Sequence, residues 1–265
     1  MKLLLCLLLA AVTTVTAAAA SPNVLFVISD DLNYNLSGDG HPECMTPILD
    51  RFAKTGVSFS RAYCQFPFCG PSRASIMTGQ YPLVNGVMRN GGKVDPNRIT
   101  LPRHFANHGY WTARVSKIYH MGVPGGIESG GHGADDEASW TERFNSKGPE
   151  WRAPGDGETL QNNPDGKKPA VGGNTFVVVE ADGDDLVHSD GKTAAKACSL
   201  IAERKNSEKP FWLGVGFVRP HVPFVAPRSY YKPFLPYSKM ILPPKVKDDW
   251  EDIPRAGINY CTSAN

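Results

Sequence analysis

The side chains able to do chemistry in this chain are few and far apart. Cys69 opens the run Cys69-Gly70-Pro71-Ser72-Arg73, followed by Thr78-Gly79. Residues 72–77 predict a short helix that Gly79 closes, so a thiol sits at a helix start with an arginine one turn on. Free N–H groups and the positive dipole end favour a thiolate, an oxyanion or a sulfate at such a place. A lone cysteine there equally suits a buried or disulfide-bonded role. Asp30-Asp31 sets two carboxylates side by side, a pattern that holds a hard cation through oxygen or caps a turn. Lys117 and His120 are three apart and share a face if the local turn is helical. His221 lies between Pro220 and Pro223, which fix its backbone. His41, His104, His108, His132 and His188 have no such setting and read as structural. Asp182, Asp184 and Asp185 read as an acidic surface turn rather than a second metal site.

The elements that must position these groups follow from periodicity. Residues 23–29 (NVLFVIS) form a continuous apolar run and predict a buried strand ending at Asp30-Asp31. Thr46 caps a helix with Pro47 at its first position, running to about Thr55. Residues 57–63 alternate as a strand does. Thr100 caps a helix through His108, and residues 110–115 predict a strand. Residues 121–173, rich in Gly, Pro and charge, read as a long surface excursion. Residues 176–180 predict a short edge strand, 192–204 a helix, and 211–218 (FWLGVGFV) a buried strand. The proline-rich tail from Arg219 reads as irregular, and its aromatic run 227–237 as packing.

Strands alternating with helices predict an α/β fold: a mostly parallel sheet sandwiched by helices. Ligands bind beyond the carboxyl ends of such strands. That rule gathers Asp30, Asp31, Cys69, Lys117, His120 and His221 at one edge.

The chain has 265 residues, enough for one sizeable domain. Its 28 basic and 26 acidic residues leave a formal charge of +2, which gives no case for nucleic acid or an anionic membrane surface. Residues 1–20 carry Lys2, an apolar core and an alanine run that offers an A-x-A cleavage site, the pattern of a secretory signal peptide. The expected domains are therefore 1–20, a leader, and 21–265, a mature portion delivered to a secreted, periplasmic or lysosomal-type compartment. No membrane contact is expected after cleavage. Cys44, Cys64, Cys69, Cys198 and Cys261 remain beyond the leader, an odd number that leaves at least one outside any internal pairing.

Three separated segments carry a family resemblance. C-G-P-S-R with T-G, the segment GYWTARVSKIYH at 109–120, and R-P-H-V-P-F at 219–224 with Asp30-Asp31 ahead of them together resemble the type I sulfatases of the alkaline phosphatase superfamily. SKIYH and P-H-V-P-F are most similar to iduronate-2-sulfatase-like members. The resemblance implies an alkaline phosphatase/sulfatase-like fold and hydrolysis of sulfate esters on a sulfated sugar or polysaccharide. It implies that a formylglycine-generating enzyme oxidises Cys69 to formylglycine, whose hydrate attacks sulfur and later expels sulfate. It also implies one Ca2+ held by Asp30, Asp31 and the oxygen that replaces the Cys69 sulfur. Arg73 and Lys117 would hold the hydrate, Lys117 also sulfate. His120 would deprotonate the hydrate, and His221 would meet sulfate or the leaving-group oxygen.

The second signature of the family has Gly just before its lysine, where this chain has Ser116. Family members also continue into a later strand that completes the calcium site, so this chain is expected to be the N-terminal portion of a sulfatase domain, truncated at the C-terminus. Two other readings stand beside sulfate-ester hydrolysis. One is a phosphonate or phosphoester hydrolase of the same superfamily. The other is an inactive fragment that at most binds sulfated glycans.

Overall fold

The sheet forms where the sequence puts its apolar runs. The computed structural model describes residues 21–33, 36–40, 43–150, 153–159, 177–241 and 246–257. The leader at 1–20, His41, Phe176 and Cys261 lie outside the described residues. In chain order the elements are β1 (Val24–Asp30), α1 (Pro47–Ala53), α2 (Cys69–Thr78), α3 (Pro82–Asn85), α4 (Leu101–Asn107), β2 (Trp111–Ser116) and α5 (Gly125–Ser129). Then come β3 (Glu142–Phe144), β4 (Gly155–Thr159), β5 (Val177–Ala181), α6 (Ser189–Arg204), β6 (Phe211–Pro220) and β7 (Phe224–Pro227).

The main sheet has the order β1-β6-β2-β3, all parallel. β6 is apolar on both faces because it is the inner strand, covered on each side. On one face Met77 and Ala74 of α2 and Phe105 of α4 pack with Trp212, Phe26 and Ile118. On the other, Ala197 and Leu200 of α6 pack with Ala113, Val115, Leu213 and Val215. Helices on both faces of a parallel sheet are the architecture that the alternation predicts. A second sheet, β4-β5-β7, is mixed and closes over Ala153, Val179, Ala181 and Val225.

Five expectations need correction. Residues 57–63 form no strand: they have no pairing partner among the described residues, and Val57, Phe59 and Tyr63 are about four-fifths exposed. Alternation without a neighbour to bond does not make a strand. Residues 177–181 form the middle strand of the second sheet, not an edge. The 121–173 segment is more than surface, because Glu142–Phe144 joins the main sheet beside β2 and Glu150 is fully buried. The tail from Arg219 is ordered at first, as the end of β6 and as β7. β1 forms where the apolar run predicts, but as an outer strand of the main sheet rather than a buried one: among the described residues no second strand covers its free edge, and Leu25 and Val27 stand half-exposed on it.

The crossing of β2 and β6 fixes the active edge. Lys117 follows β2, and a Cβ at Gly216 would stand 2.1 Å from the Lys117 carbonyl oxygen. Only glycine lets the two backbones approach so closely. The chain turns there through Ser116, at φ 60°. This left-handed conformation suits the glycine that the family's signature carries at this place, and a Cβ in it costs about 1–2 kcal/mol. Ser116 is fully buried, and its hydroxyl has no hydrogen-bond partner among the described residues. Ser116→Gly therefore removes strain and an unpaired hydroxyl together. We expect it to raise unfolding stability by about 1 kcal/mol, net of the freer unfolded chain, read as a higher urea midpoint at unchanged slope. An unchanged or lower midpoint contradicts this account of the turn.

Candidate active site

Because β6 lies between β1 and β2, the carboxyl ends of all three strands meet. Asp30 ends β1, Lys117 follows β2, and His221 follows β6. The β1–β6 register slips between Ser29 and Asp30, so Asp30 faces Pro220. Such an irregularity re-aims a side chain at a strand end.

Asp30 is held by two cations. Its Oδ1 is 3.1 Å from Nη2 of Arg73, and its Oδ2 forms a short ion pair with Nζ of Lys117. All three side chains are almost wholly buried. Arg73 also donates through Nη1 to the carbonyl oxygens of Lys117 and, at 2.9 Å, of Ile118. One guanidinium thus ties α2 to β1 and to the turn after β2. Burial alone would push the Asp30 carboxyl up, but the charges of Arg73 and Lys117 outweigh it and bring it down to about 2. Burial pulls Lys117 below the usual lysine value, against the pull of Asp30.

Cys69 begins α2, one turn earlier than the apolar pattern alone suggests. It is half-buried and, among the described residues, makes no disulfide; Cys44, Cys64 and Cys198 are free there as well. Gly70 lets this helix start sit against residues 89–90. Its N–H donates to Oδ1 of Asn90 at 2.7 Å, and a Cβ there would meet the Asn90 Cα at 2.7 Å. The expectation that a helix start favours a thiolate is reversed here. Burial pushes the Cys69 thiol up and the negative Asp30 adds to it, with Lys117 opposing.

His221 sits on a clamped loop. Its N–H donates to the Val218 carbonyl at 3.0 Å. Nδ1 lies against the Val222 carbonyl, which can only accept, so Nδ1 donates there and Nε2 is the ring nitrogen turned to the cavity, 3.9 Å from Oδ2 of Asp31. Arg219 holds the loop by donating from Nε to the Val225 carbonyl at 2.8 Å and from Nη1 to the His221 carbonyl at 3.1 Å. Its Nη2 pairs with Glu150. Asp190 accepts from the N–H groups of Val218 and Arg219, at 2.9 Å each.

A cavity of about 590 Å³ opens at this edge, lined in part by Asp30, Asp31, Cys69, Arg73, Asn90 and His221. Ligand atoms of Asp30, Cys69 and His221 all lie within 4.8 Å of one another, a group able to hold a metal ion. Asp31, its side chain 57% exposed, borders the cavity but stands outside that group. Lys117 sits beneath Asp30 rather than in the wall. His120 is reached by a bend, not the helical turn that its spacing suggests. It is half-buried, and its Nδ1 has no hydrogen-bond partner among the described residues. Burial, then the charge of Lys117, pull it down to about 4, so it is neutral at neutral pH.

Asn90, Glu150 and Asp190 carry no signal in the sequence reading. Asn90 lies in a turn-like R-N-G-G run, and Glu150 in a segment with no periodicity. Asp190 opens a predicted helix early, where an acidic residue passes as ordinary.

The parallel sheet held between helices, with carboxylates at its carboxyl edge, is an alkaline phosphatase-like fold by its likeness to solved structures. Ps i-CgsB bound to k-i-k-neocarrahexaose is 25% identical, with a TM-score of 0.58 over 81% of this chain and 48% of its own. The phosphonate monoester hydrolase SpPMH from Silicibacter pomeroyi is 20% identical, with a TM-score of 0.60 over 86% of this chain and 47% of its own, a likeness of fold. The sequence profile named Sulfatase matches residues 22–239, and the chain belongs to the sulfatase family. A sulfatase of Formosa agariphila is 33% identical over 251 residues, 89% of this chain and 46% of that protein. Human iduronate 2-sulfatase is 30% identical over 245 residues, 87% of this chain and 42% of that protein. The chain spans about half the length of these relatives.

The charges at this edge make stability acid-sensitive in two windows. His120 has a folded value below its ordinary 6.5, so folding loses free energy as pH falls from 6.5 toward 4. Asp30 is also depressed, so its contribution is present above 3.8 and is lost as pH falls toward 2. The Asp30 part amounts to about 2 kcal/mol. Asp30→Asn is expected to flatten the lower window in pH-dependent urea unfolding. It also leaves Arg73 and Lys117 buried without a counter-charge, at a cost of about 3–5 kcal/mol at neutral pH. A variant as stable as the parent and with the same acid profile contradicts the ion-pair assignment.

Proposed function

We propose that this protein hydrolyses sulfate esters on a sulfated sugar, using a formylglycine made from Cys69 together with a bound calcium ion. The observation that carries this reading is the setting of Cys69: unpaired, on the wall of a cavity, grouped with Asp30 and His221 and backed by Arg73 and Lys117. The hydrated aldehyde would supply one oxygen to attack sulfur and a second hydroxyl to release sulfate.

The donor set fits calcium as part of a shell. Asp30 and Asp31 offer hard carboxylate oxygens beside the cavity, toward the six to eight that calcium takes. When bound, the ion supplies charge neutralisation for the sulfate oxygens. The chain's own residues do the rest. One carboxylate against two cations leaves net positive charge behind the cavity, suited to an anionic ester. Neutral His120 is able to take a proton from a hydroxyl during sulfate release. His221 presents Nε2 for sulfate or for the departing alcohol. The name iduronate 2-sulfatase and the oligosaccharide in the Ps i-CgsB complex favour a sulfated carbohydrate substrate. Maturation would need a formylglycine-generating enzyme, and the leader-like residues 1–20 favour an exported protein.

The test is turnover by this chain, co-produced with the modifying enzyme, on an aryl sulfate and an aryl phosphonate. We expect the sulfate to react faster and Cys69→Ala to lose activity by about 10³-fold or more. Faster cleavage of the phosphonate would give the protein to the phosphonate hydrolases. Binding of sulfated glycans without turnover would make it a non-catalytic binder.

A further inference from the structure

We propose that the form of this chain that keeps Cys69 as a thiol is a site for a borderline divalent ion of the zinc class, ligated by Cys69 Sγ, His221 Nε2 and an oxygen of Asp30. The three ligand atoms come from the start of α2, the loop after β6 and the end of β1, all within 4.8 Å of one another. Their chemistry is not that of a calcium shell. Sulfur and imidazole nitrogen suit zinc and its neighbours, whereas calcium takes oxygen throughout.

The contacts that fix the His221 ring are a second, independent observation. A metal-ligating histidine usually donates its other ring N–H to a carbonyl or carboxylate, which fixes the ring and exposes the free lone pair. Here Nδ1 donates to the Val222 carbonyl, and Arg219 in turn holds the His221 carbonyl at 3.1 Å. Zinc–sulfur and zinc–nitrogen bonds of about 2.3 and 2.0 Å imply ligand separations of roughly 3.3–3.8 Å in a tetrahedron. The group must therefore close by up to about 1.5 Å, within reach of side-chain rotation at half-buried Cys69 and His221. Asp31, exposed and 3.9 Å from Nε2 of His221, is free to complete four-coordination, or water can do so. Binding forms a sulfur–metal bond and releases the thiol proton to solvent. Aldehyde formation replaces the sulfur by oxygen, so the same position would then suit a hard cation. The zinc site thus belongs to the unmodified chain and does not rest on turnover.

The experiment uses the full chain made without the modifying enzyme, with the Cys69 thiol confirmed by peptide mass. Cobalt(II) serves as the coloured probe. We expect a sulfur-to-cobalt charge-transfer band with the intense visible bands of a four-coordinate ion, both abolished by added zinc. Cys69→Ser should lose the charge-transfer band while Cys44, Cys64 and Cys198 remain as internal controls. His221→Ala should weaken zinc binding by about tenfold or more. A band that persists in Cys69→Ser, or equal zinc affinity in all three proteins, overturns the proposal. A readout that needs no variant is alkylation of the parent chain. Zinc should slow labelling of Cys69 and not of exposed Cys198 on α6, and equal labelling of Cys69 with and without zinc would also overturn it. None of these readouts involves sulfate-ester cleavage, so their failure leaves the sulfatase reading standing.

Discussion

Everything at the carboxyl edge of the sheet depends on one buried carboxylate held between two buried cations. Asp30, Arg73 and Lys117 come from three elements far apart in sequence, and each is almost completely removed from water. An isolated charge in such a place is strongly unfavourable, so the three are tolerable only together. The contact therefore sets the relative positions of β1, α2 and the turn after β2. It also leaves an excess positive charge behind the cavity; burial pushes the Cys69 thiol up and the Asp30 carboxylate adds to it, while Lys117 and Arg73 oppose. One interaction is thus structural, electrostatic and chemical at once.

A second constraint brings Lys117 to that place. The inner strand β6 passes so close to the Lys117 backbone that Gly216 has no room for a Cβ. The next few residues of the same strand feed the loop that carries His221. Arg219, Glu150 and Asp190 then fix that loop with bonds to its carbonyl and N–H groups. One strand therefore builds both the floor and a wall at this edge: it places Lys117 beneath Asp30 through a missing side chain, and the cavity-lining His221 through a buried clamp. Groups held this way need little rearrangement to meet an anionic ester, which is what preorganised electrostatic catalysis requires.

Much of this was legible in the sequence where local pattern and chemistry coincide. The apolar run of β6 marks a buried strand because both faces are covered, whereas the similar run of β1 forms an outer strand with Leu25 and Val27 half-exposed; the glycine after Thr78 marks the end of α2. The chemical residues were legible because the rule for parallel sheets sends every strand's carboxyl end to one edge, which gathered Asp30, Lys117 and His221 before any coordinates. What stayed hidden depends on contacts across long sequence separations. Nothing near Glu150 signals that it is buried against Arg219, 69 residues later. The alternation at 57–63 looked like a strand but has no neighbour to bond. The helix-start argument for a Cys69 thiolate fails because the fold buries the thiol and because the negative Asp30, which adds to that, comes from another element. The departure at Ser116 was visible as a missing glycine, and its left-handed backbone explains why glycine suits that position.

The central claim is that Cys69 is not the working side chain but the precursor of one. Peptide mass spectrometry across residues 68–82, after co-production with a formylglycine-generating enzyme, tests it most directly. Conversion of thiol to aldehyde lowers the peptide mass by about 18 Da, and the account predicts that loss in the Cys69 peptide alone. A Cys69 peptide recovered quantitatively at its thiol mass, beside a known substrate of the same enzyme that is fully converted, would contradict it.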